Sequence, residues 1–333
     1  MSASRIHYIA EAGTNHNADP ATALALVEAA AAAGADSVKF QIIHPESLYL
    51  TEFYRDGTYV PNEVVALRRA GMLPDEAWTA VDSRCRELSL PWSASVFDRR
   101  GLDLLESFDP PYVKIASCDL NNYPFLRLVA ERGRRMIVST GMASLGEIER
   151  AVAAITATGN TDIVLLHCVS VYPCPTRGMN LAFLSVLKAA FGFPVGLSDH
   201  TEASLAAAMA VAMGAQWIEK HFTLDRSSKG FDHAYAMNPE GLAAHIRDVR
   251  DCEAALARPG AKVSAPESEV RTRARRGLYA ARDIVPGETV RPEDVLVVRP
   301  EGPLAPGDLE AVVGRVAEVQ VKRCEPLRLT QFR

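Results

Sequence analysis

Two histidines close two short apolar runs that turn abruptly polar. His200 stands in "VGLSDHTEAS" (195–204) and His221 in "QWIEKHFT" (216–223). Neighbouring strands lie about 4.8 Å apart, so imidazoles at two such ends can share one divalent metal. Two histidines without a cysteine cluster suit Mn, Zn, Fe or Co, with positions left open for water and a ligand. Strand residues alternate faces, so Glu219 and His221 share one side while Lys220 takes the other; Lys39 and Gln41 are related in the same way. Lys39 and Lys114 interrupt the apolar runs "SVKFQI" and "YVKIAS". An unpaired buried ammonium is costly, so an anion that pairs with both is the economical account. With Ser95, Ser117, Ser139, Ser170 and Ser198 they form a cationic, hydroxyl-rich floor suited to phosphate and carboxylate groups. Glu11 ends another apolar run and can orient a metal-bound water or act as a base. A metal beside an anion site implies a polarised carbonyl or an activated water. Carbon–carbon bond formation with a phosphorylated enol fits, as does a metal-dependent isomerase or aldolase.

These residues need elements that converge. Eight short apolar runs recur, at 6–13, 35–42, 90–96, 112–117, 135–140, 162–169, 193–199 and 216–223, each followed by a helix-like stretch. Asp19 is a candidate N-cap before Pro20, with Gly34 as the stop; Ser144 and Gly159 bracket another helix, and Gly214 ends a third. Strand and helix alternating eight times predict a (β/α)8 TIM barrel. A doubly wound open sheet alternates likewise, but the count is eight and no Gly-x-Gly-x-x-Gly follows the first run. Barrel sites lie at the C-terminal strand ends, which is where these side chains (His167 among them) stand. The long segment 43–89 reads as an expanded second loop able to fold over the mouth.

Composition narrows the class. The 333 residues are 48 % hydrophobic and 23 % charged, with net charge −5, so no basic footprint argues for nucleic acid. No run of eighteen apolar residues suggests a membrane span, and "MSASRIHYIAEAG" lacks the pattern of a signal peptide. Six scattered cysteines fit reduced thiols, and the expected location is cytoplasmic. His7, His44 and His245 lie outside the strand-end set and read as surface residues; Asn15 and His16 read as loop-shaping, and Cys168 as a small core or loop residue. Residues 258–275 read as a linker between a barrel, 1–257, and a strand-rich tail, 276–333.

Six segments, "IAEAGTNHNADPATALALVEAAAAAGADSVKFQ", "YVKIASCDLNNYP", "VSTGMAS", "LLHCVSVYPCP", "GLSDHT" and "IEKHFTLDRSSKGFDHAYAMNPEGL", together resemble the sialic acid synthase family, which makes N-acetylneuraminate, legionaminate and pseudaminate. The tail "RRGLYAARDIVPGETVRPEDVLVVRPEG" resembles the antifreeze-like SAF (β-clip) domain that closes these synthases. The resemblance covers about the full length. It implies metal-dependent condensation of phosphoenolpyruvate with an open-chain, N-acetylmannosamine-like amino sugar, giving a nonulosonic acid and phosphate. By motif, His200 and His221 would bind the metal, Mn2+ first, with Mg2+ or Co2+ as alternatives. Lys39, Ser95, Lys114, Ser117, Ser139, Ser170 and Ser198 would surround phosphoenolpyruvate. Glu11 and Glu219 would handle or position protons, with Lys39 and Lys114 also catalytic. Gln41, Asp119, Tyr172 and Asp232 would face the sugar. Arg299 would reach it from the partner subunit of a domain-swapped homodimer. Ser95, Asp119 and Phe231 stand where the family commonly has other patterns, which leaves the sugar open. A relative acting on a different aldehyde, or a non-catalytic sugar-binding homologue, are the alternatives.

Overall fold

The computed structural model describes residues 5–256 and 263–333. Two compact units divide the chain, Met1–Ala257 and Arg258–Arg333.

All eight apolar runs become strands: β1 (His7–Gly13), β2 (Ser37–Ile42), β3 (Trp92–Val96), β4 (Val113–Ile115), β5 (Met136–Ser139), β6 (Ile163–Cys168), β7 (Val195–Asp199) and β8 (Trp217–His221). They close a barrel in sequence order, β8 lying parallel to β1. The register sets the site. Glu11 lies opposite both Lys39 and His221, Ser95 opposite Gln41 and Lys114, and Ser198 opposite Glu219 and Cys168. Because successive side chains alternate faces, one parity fills the lumen and the other meets the helices. Ile9, Tyr112, Ile137, Val164, Leu166 and Trp217 form an apolar cluster below the polar strand ends. Tyr8, Ala10, Val38, Phe40, Leu165 and Ile218 pack outward in the main core. At Gly196 a Cβ would lie 2.4 Å from the Trp217 carbonyl oxygen, so only glycine lets β7 and β8 approach this closely.

Local signals fix the helices between strands. Asp19 accepts from the Ala21 and Thr22 amides and starts the helix Pro20–Ala33, which Gly34 ends at φ 85°. Ser144 forms a capping box with Glu147 at the helix Leu145–Thr156. Segment 43–89 is not one open loop. It holds an exposed hairpin, Glu52–Arg55 against Thr58–Pro61, and the helices Glu63–Ala70 and Ala77–Glu87.

Two histidines read as surface residues are buried instead. His44 bonds Asp98 through Nδ1 at 2.9 Å. His245 sits on the helix Pro239–Leu256, where it meets the Tyr8 hydroxyl at 2.7 Å and the Asp199 carboxylate at 3.3 Å. Lys220 donates to the same carboxylate at 3.1 Å and to the Thr201 carbonyl. Asp199 and Lys220 point out of the lumen, so this buried polar network stands behind the wall at His200 and His221. Partners satisfy one another there, which makes the burial tolerable. His7 is half-buried, stacked on Trp217 at 4.0 Å.

The second unit has its own core around Leu278, Ile284, Val290, Val312, Val321 and Leu327. Strands β9 (Gly277–Ala280) and β10 (Val295–Val298) pair antiparallel. The stretch read as a linker carries a helix, Ala265–Ala274, capped by Ser264; residues 258–262 of that stretch lie outside the described residues. Among the described residues no helix is long and apolar enough to cross a membrane. All six cysteines are free thiols.

Candidate active site

The C-terminal strand ends enclose a cavity of about 310 Å3. Its lining gathers Glu11, Lys39, Gln41, Ser95, Lys114, Ser117, Ser139, Ser170, Tyr172, Ser198, His200, Glu219 and His221. Three sequence-identified residues stand elsewhere. Asp119 lies on the 3-10 turn Ser117–Asp119, where its carboxylate accepts from the Asn122 amide at 3.2 Å. Asp232 accepts from the Tyr235 hydroxyl, and its other oxygen is 3.8 Å from His221 Nδ1. Arg299 is exposed in the second unit.

Charge is balanced inside the barrel by short contacts. Lys39 Nζ lies 2.5 Å from Glu11, 3.6 Å from Glu219 and 3.0 Å from Ser95 Oγ. Lys114 donates to Ser139 Oγ at 2.7 Å and lies 3.7 Å from Glu219. Ser198 donates to Glu219 at 2.9 Å, and Gln41 to Glu11 at 3.1 Å. The two carboxyls therefore differ. Burial pushes the Glu11 carboxyl up, Lys39 pulling against it. Burial also raises Glu219, but Lys114, Lys39, the Ser198 hydroxyl and His221 outweigh it and hold that carboxyl low. Burial holds the Lys114 ammonium below its usual range, with Glu219 pulling against it. For Lys39, Glu11 and Glu219 overcome the same penalty and raise it. One buried carboxyl thus keeps a proton more readily than its neighbour, the division that acid–base chemistry requires.

The histidines fit a metal. His200 donates through Nδ1 to the Val169 carbonyl at 2.8 Å, and in the neutral ring the Nε2 lone pair faces Ser198 Oγ at 3.4 Å. His221 is held neutral by burial, its pKa lowered to about 4, and its buried Nδ1 has no hydrogen-bond partner. The two rings are 5.6 Å apart between centroids. Among the described residues no group of three or more His, Cys, Asp or Glu is placed to hold a metal. A site of two imidazoles, completed by water and substrate, is what this donor set accommodates.

Three features escaped the sequence reading. Cys168 lines the cavity, its sulfur 3.7 Å from Ser117 Oγ; strand parity alone could have placed it there. Tyr235 packs against Tyr172 with its ring tilted, centroids 4.9 Å apart, beside His221. Gly141 leaves a cradle: a Cβ there would lie 2.5 Å from Ser170 Oγ and 2.8 Å from Ser117 Oγ.

Residues 26–260 match the model of the NeuB family, and residues 275–333 that of the SAF domain. The chain is 36 % identical to the spore coat polysaccharide biosynthesis protein SpsE of Bacillus subtilis, over 89 % of this chain and 84 % of that one. It is 35 % identical to the N,N'-diacetyllegionaminic acid synthase of Legionella pneumophila, over 92 % and 88 %. The crystal structure of the N-acetylneuraminic acid (sialic acid) synthetase of Leptospira borgpetersenii serovar Hardjo-bovis, in complex with citrate, superposes with a TM-score of 0.72 at 32 % identity, covering 80 % of this chain and 90 % of that one. A closed eight-stranded barrel with this polar mouth, followed by an SAF domain, places the chain in the NeuB family of sialic acid synthases.

Proposed function

We propose that this chain condenses phosphoenolpyruvate with the open-chain aldehyde of an N-acetylmannosamine-like amino sugar, giving a nonulosonic acid and inorganic phosphate. The observation that carries this reading is one cavity in which two buried lysines, each bonded to a serine hydroxyl, face two histidines, His221 with its Nδ1 unpartnered and His200 with its Nε2 beside Ser198 Oγ.

Lys39 and Lys114 hold the phosphate and carboxylate of phosphoenolpyruvate, with Ser95, Ser117, Ser139, Ser170 and Ser198 as hydroxyl partners. Binding that anion exchanges the lysines' contacts with Glu11 and Glu219 for contacts with the ligand. His200 and His221 would hold the divalent metal, Mn2+ first and Mg2+ or Co2+ as alternatives; when bound, it polarises the aldehyde carbonyl. Gln41, Tyr172 and Asp232 orient the acceptor, and Asp119 and Arg299 belong to the acceptor side.

The enol methylene carbon forms a bond to the aldehyde carbon, and the aldehyde oxygen takes a proton from Glu11. Water adds to the former enol carbon and returns a proton to Glu11. The hydroxyl proton of that adduct leaves with phosphate as the carbon–oxygen bond breaks, and a 2-keto acid remains. Glu219, ionised between the lysines, keeps both ammonium groups and Ser198 in place.

Phosphate release from phosphoenolpyruvate tests the proposal. Release is expected only with both an amino sugar and the metal, and is expected to stop on chelation. Equal release without any sugar would contradict it.

A further inference from the structure

Asp199 and Lys220 stand one residue before His200 and His221, on the outer side of the barrel wall, and are 1 % and 2 % exposed. The last outward residues of β2 to β5, by contrast, are Ile42, Val96, Ile115 and Val138, all packed in the main core. Lower on β7 and β8 the outward residues, Leu197 and Ile218, are apolar too. Charge takes their place at the level of the two histidines. A buried ion pair exchanged for apolar residues of similar volume is often neutral or stabilising, so packing gives no reason for this one. The steps proposed above use neither side chain.

The contacts of the pair give a different reason. The ladder between β7 and β8 ends at the rung Asp199–Lys220, one residue short of both histidines. Beyond it, side chains join the two strand ends. The Thr201 amide donates to Asp199 Oδ1 at 2.8 Å, and the Thr201 carbonyl accepts from Lys220 Nζ. Lys220 Nζ also donates to Asp199 Oδ2 at 3.1 Å. These bonds close a ring around the backbone of His200, and Lys220 leads directly into His221. The ring is braced from outside. His245 Nε2, on the helix Pro239–Leu256, lies 3.3 Å from Asp199 Oδ2, and its Nδ1 lies 2.7 Å from the Tyr8 hydroxyl on β1. Inside the wall the rings of His200 and His221 stand 5.6 Å apart between centroids. A shared divalent ion needs one nitrogen of each about 2 Å from a single point, so the separation of the two strand ends decides whether it is held.

We infer that Asp199 and Lys220 are positioning residues for the metal: the ring they form with Thr201 sets the spacing of His200 and His221. The inference rests on reading those histidines as the metal ligands. Lys39 and Lys114 stand on β2 and β4, so phosphoenolpyruvate should be bound with or without the ring.

Calorimetry on the full chain, freed of metal, tests it, with Mn2+ and phosphoenolpyruvate titrated separately. The Mn2+ signal counted is the one that His221→Ala removes. Lys220→Met opens the ring and leaves the Asp199 charge without its ammonium. It should weaken Mn2+ binding about ten- to a hundredfold, the cost of losing a group behind a metal ligand, and lower the melting temperature. Asp199→Asn added to Lys220→Met leaves no unpaired charge. The double variant should melt near the parent and still bind Mn2+ as weakly as Lys220→Met, with phosphoenolpyruvate bound as in the parent. Mn2+ affinity that returns along with the melting temperature would mean that the ring serves the fold alone, and would overturn the inference. An equal loss of Mn2+ and phosphoenolpyruvate affinity would overturn it as well, since the whole barrel mouth would then have loosened. Mn2+ bound alike by the parent and both variants sinks the positioning role and leaves the condensation reading standing. A parent that binds phosphoenolpyruvate and gives no such Mn2+ signal removes the metal assignment, and this inference with it.

Discussion

Lys39 is 1 % exposed and answers two buried carboxyls at once. Removing one partner of a buried pair leaves the other charge uncompensated, at a cost of about 3–5 kcal/mol. Lys39→Met should therefore lower the melting temperature sharply and abolish phosphate release. Adding Glu11→Gln should recover much of the stability and none of the activity. Unchanged melting in Lys39→Met would show that the pair is not held as described. His16 gives a cleaner titration because burial alone shifts it, lowering its pKa from 6.5 to about 4. The unfolded chain then binds a proton that the folded chain refuses. Its contribution to stability is full above pH 6.5 and is lost as pH falls through about 4. Melting temperature against pH should fall less steeply over that window in His16→Gln than in the parent; parallel curves would contradict the burial argument. Single residues were legible where they broke an apolar run, as Lys39 and Lys114 do. Asp199 and His245 were not, because the two are 46 positions apart and meet only across strand and helix.

At the scale of elements, the eight strands were legible because each is a short apolar run ending in polar residues, and parity put Glu219 with His221, and Lys39 with Gln41, on a shared face, which in both strands is the one that lines the cavity. The same rule turns His167 outward, where its Nε2 meets the Met179 carbonyl at 2.6 Å. The hairpin within 43–89 was illegible for a physical reason: its strands are largely exposed, so neither carries the alternation that a buried face imposes. A largely apolar cavity lined by Arg68, Met72 and Trp78 was hidden with it, since all three belong to that same segment. Strand-end loops also carry spacing information that composition does not. Gly141 follows β5 and leaves room for Ser117 and Ser170. Gly141→Ala should displace both hydroxyls and lower kcat/KM for phosphoenolpyruvate about a hundredfold, the cost of a misplacement near 1 Å. The melting temperature should stay near that of the parent. Unaltered kinetics would remove the two serines from the phosphoenolpyruvate site.

At the scale of the whole molecule, the barrel unit carries every residue that lines the catalytic cavity, while Arg299 belongs to a separate unit with its own core. We propose a homodimer in which each cavity is completed by Arg299 of the partner subunit. Arg299→Ala and Lys114→Ala proteins, each inactive alone, should then regain activity when mixed, because half of the sites in a mixed dimer have both residues intact. No recovery despite demonstrated subunit exchange would contradict the arrangement. The central claim, however, is the bond that is made. Phosphoenolpyruvate labelled with carbon-13 at its methylene carbon, incubated with metal and an open-chain amino sugar, tests it most directly by NMR and mass spectrometry of the products. The account predicts a single keto acid in which the labelled carbon is bonded to the former aldehyde carbon, formed in step with phosphate. Labelled pyruvate beside unchanged sugar would mean that the cavity hydrolyses the enol phosphate and joins nothing.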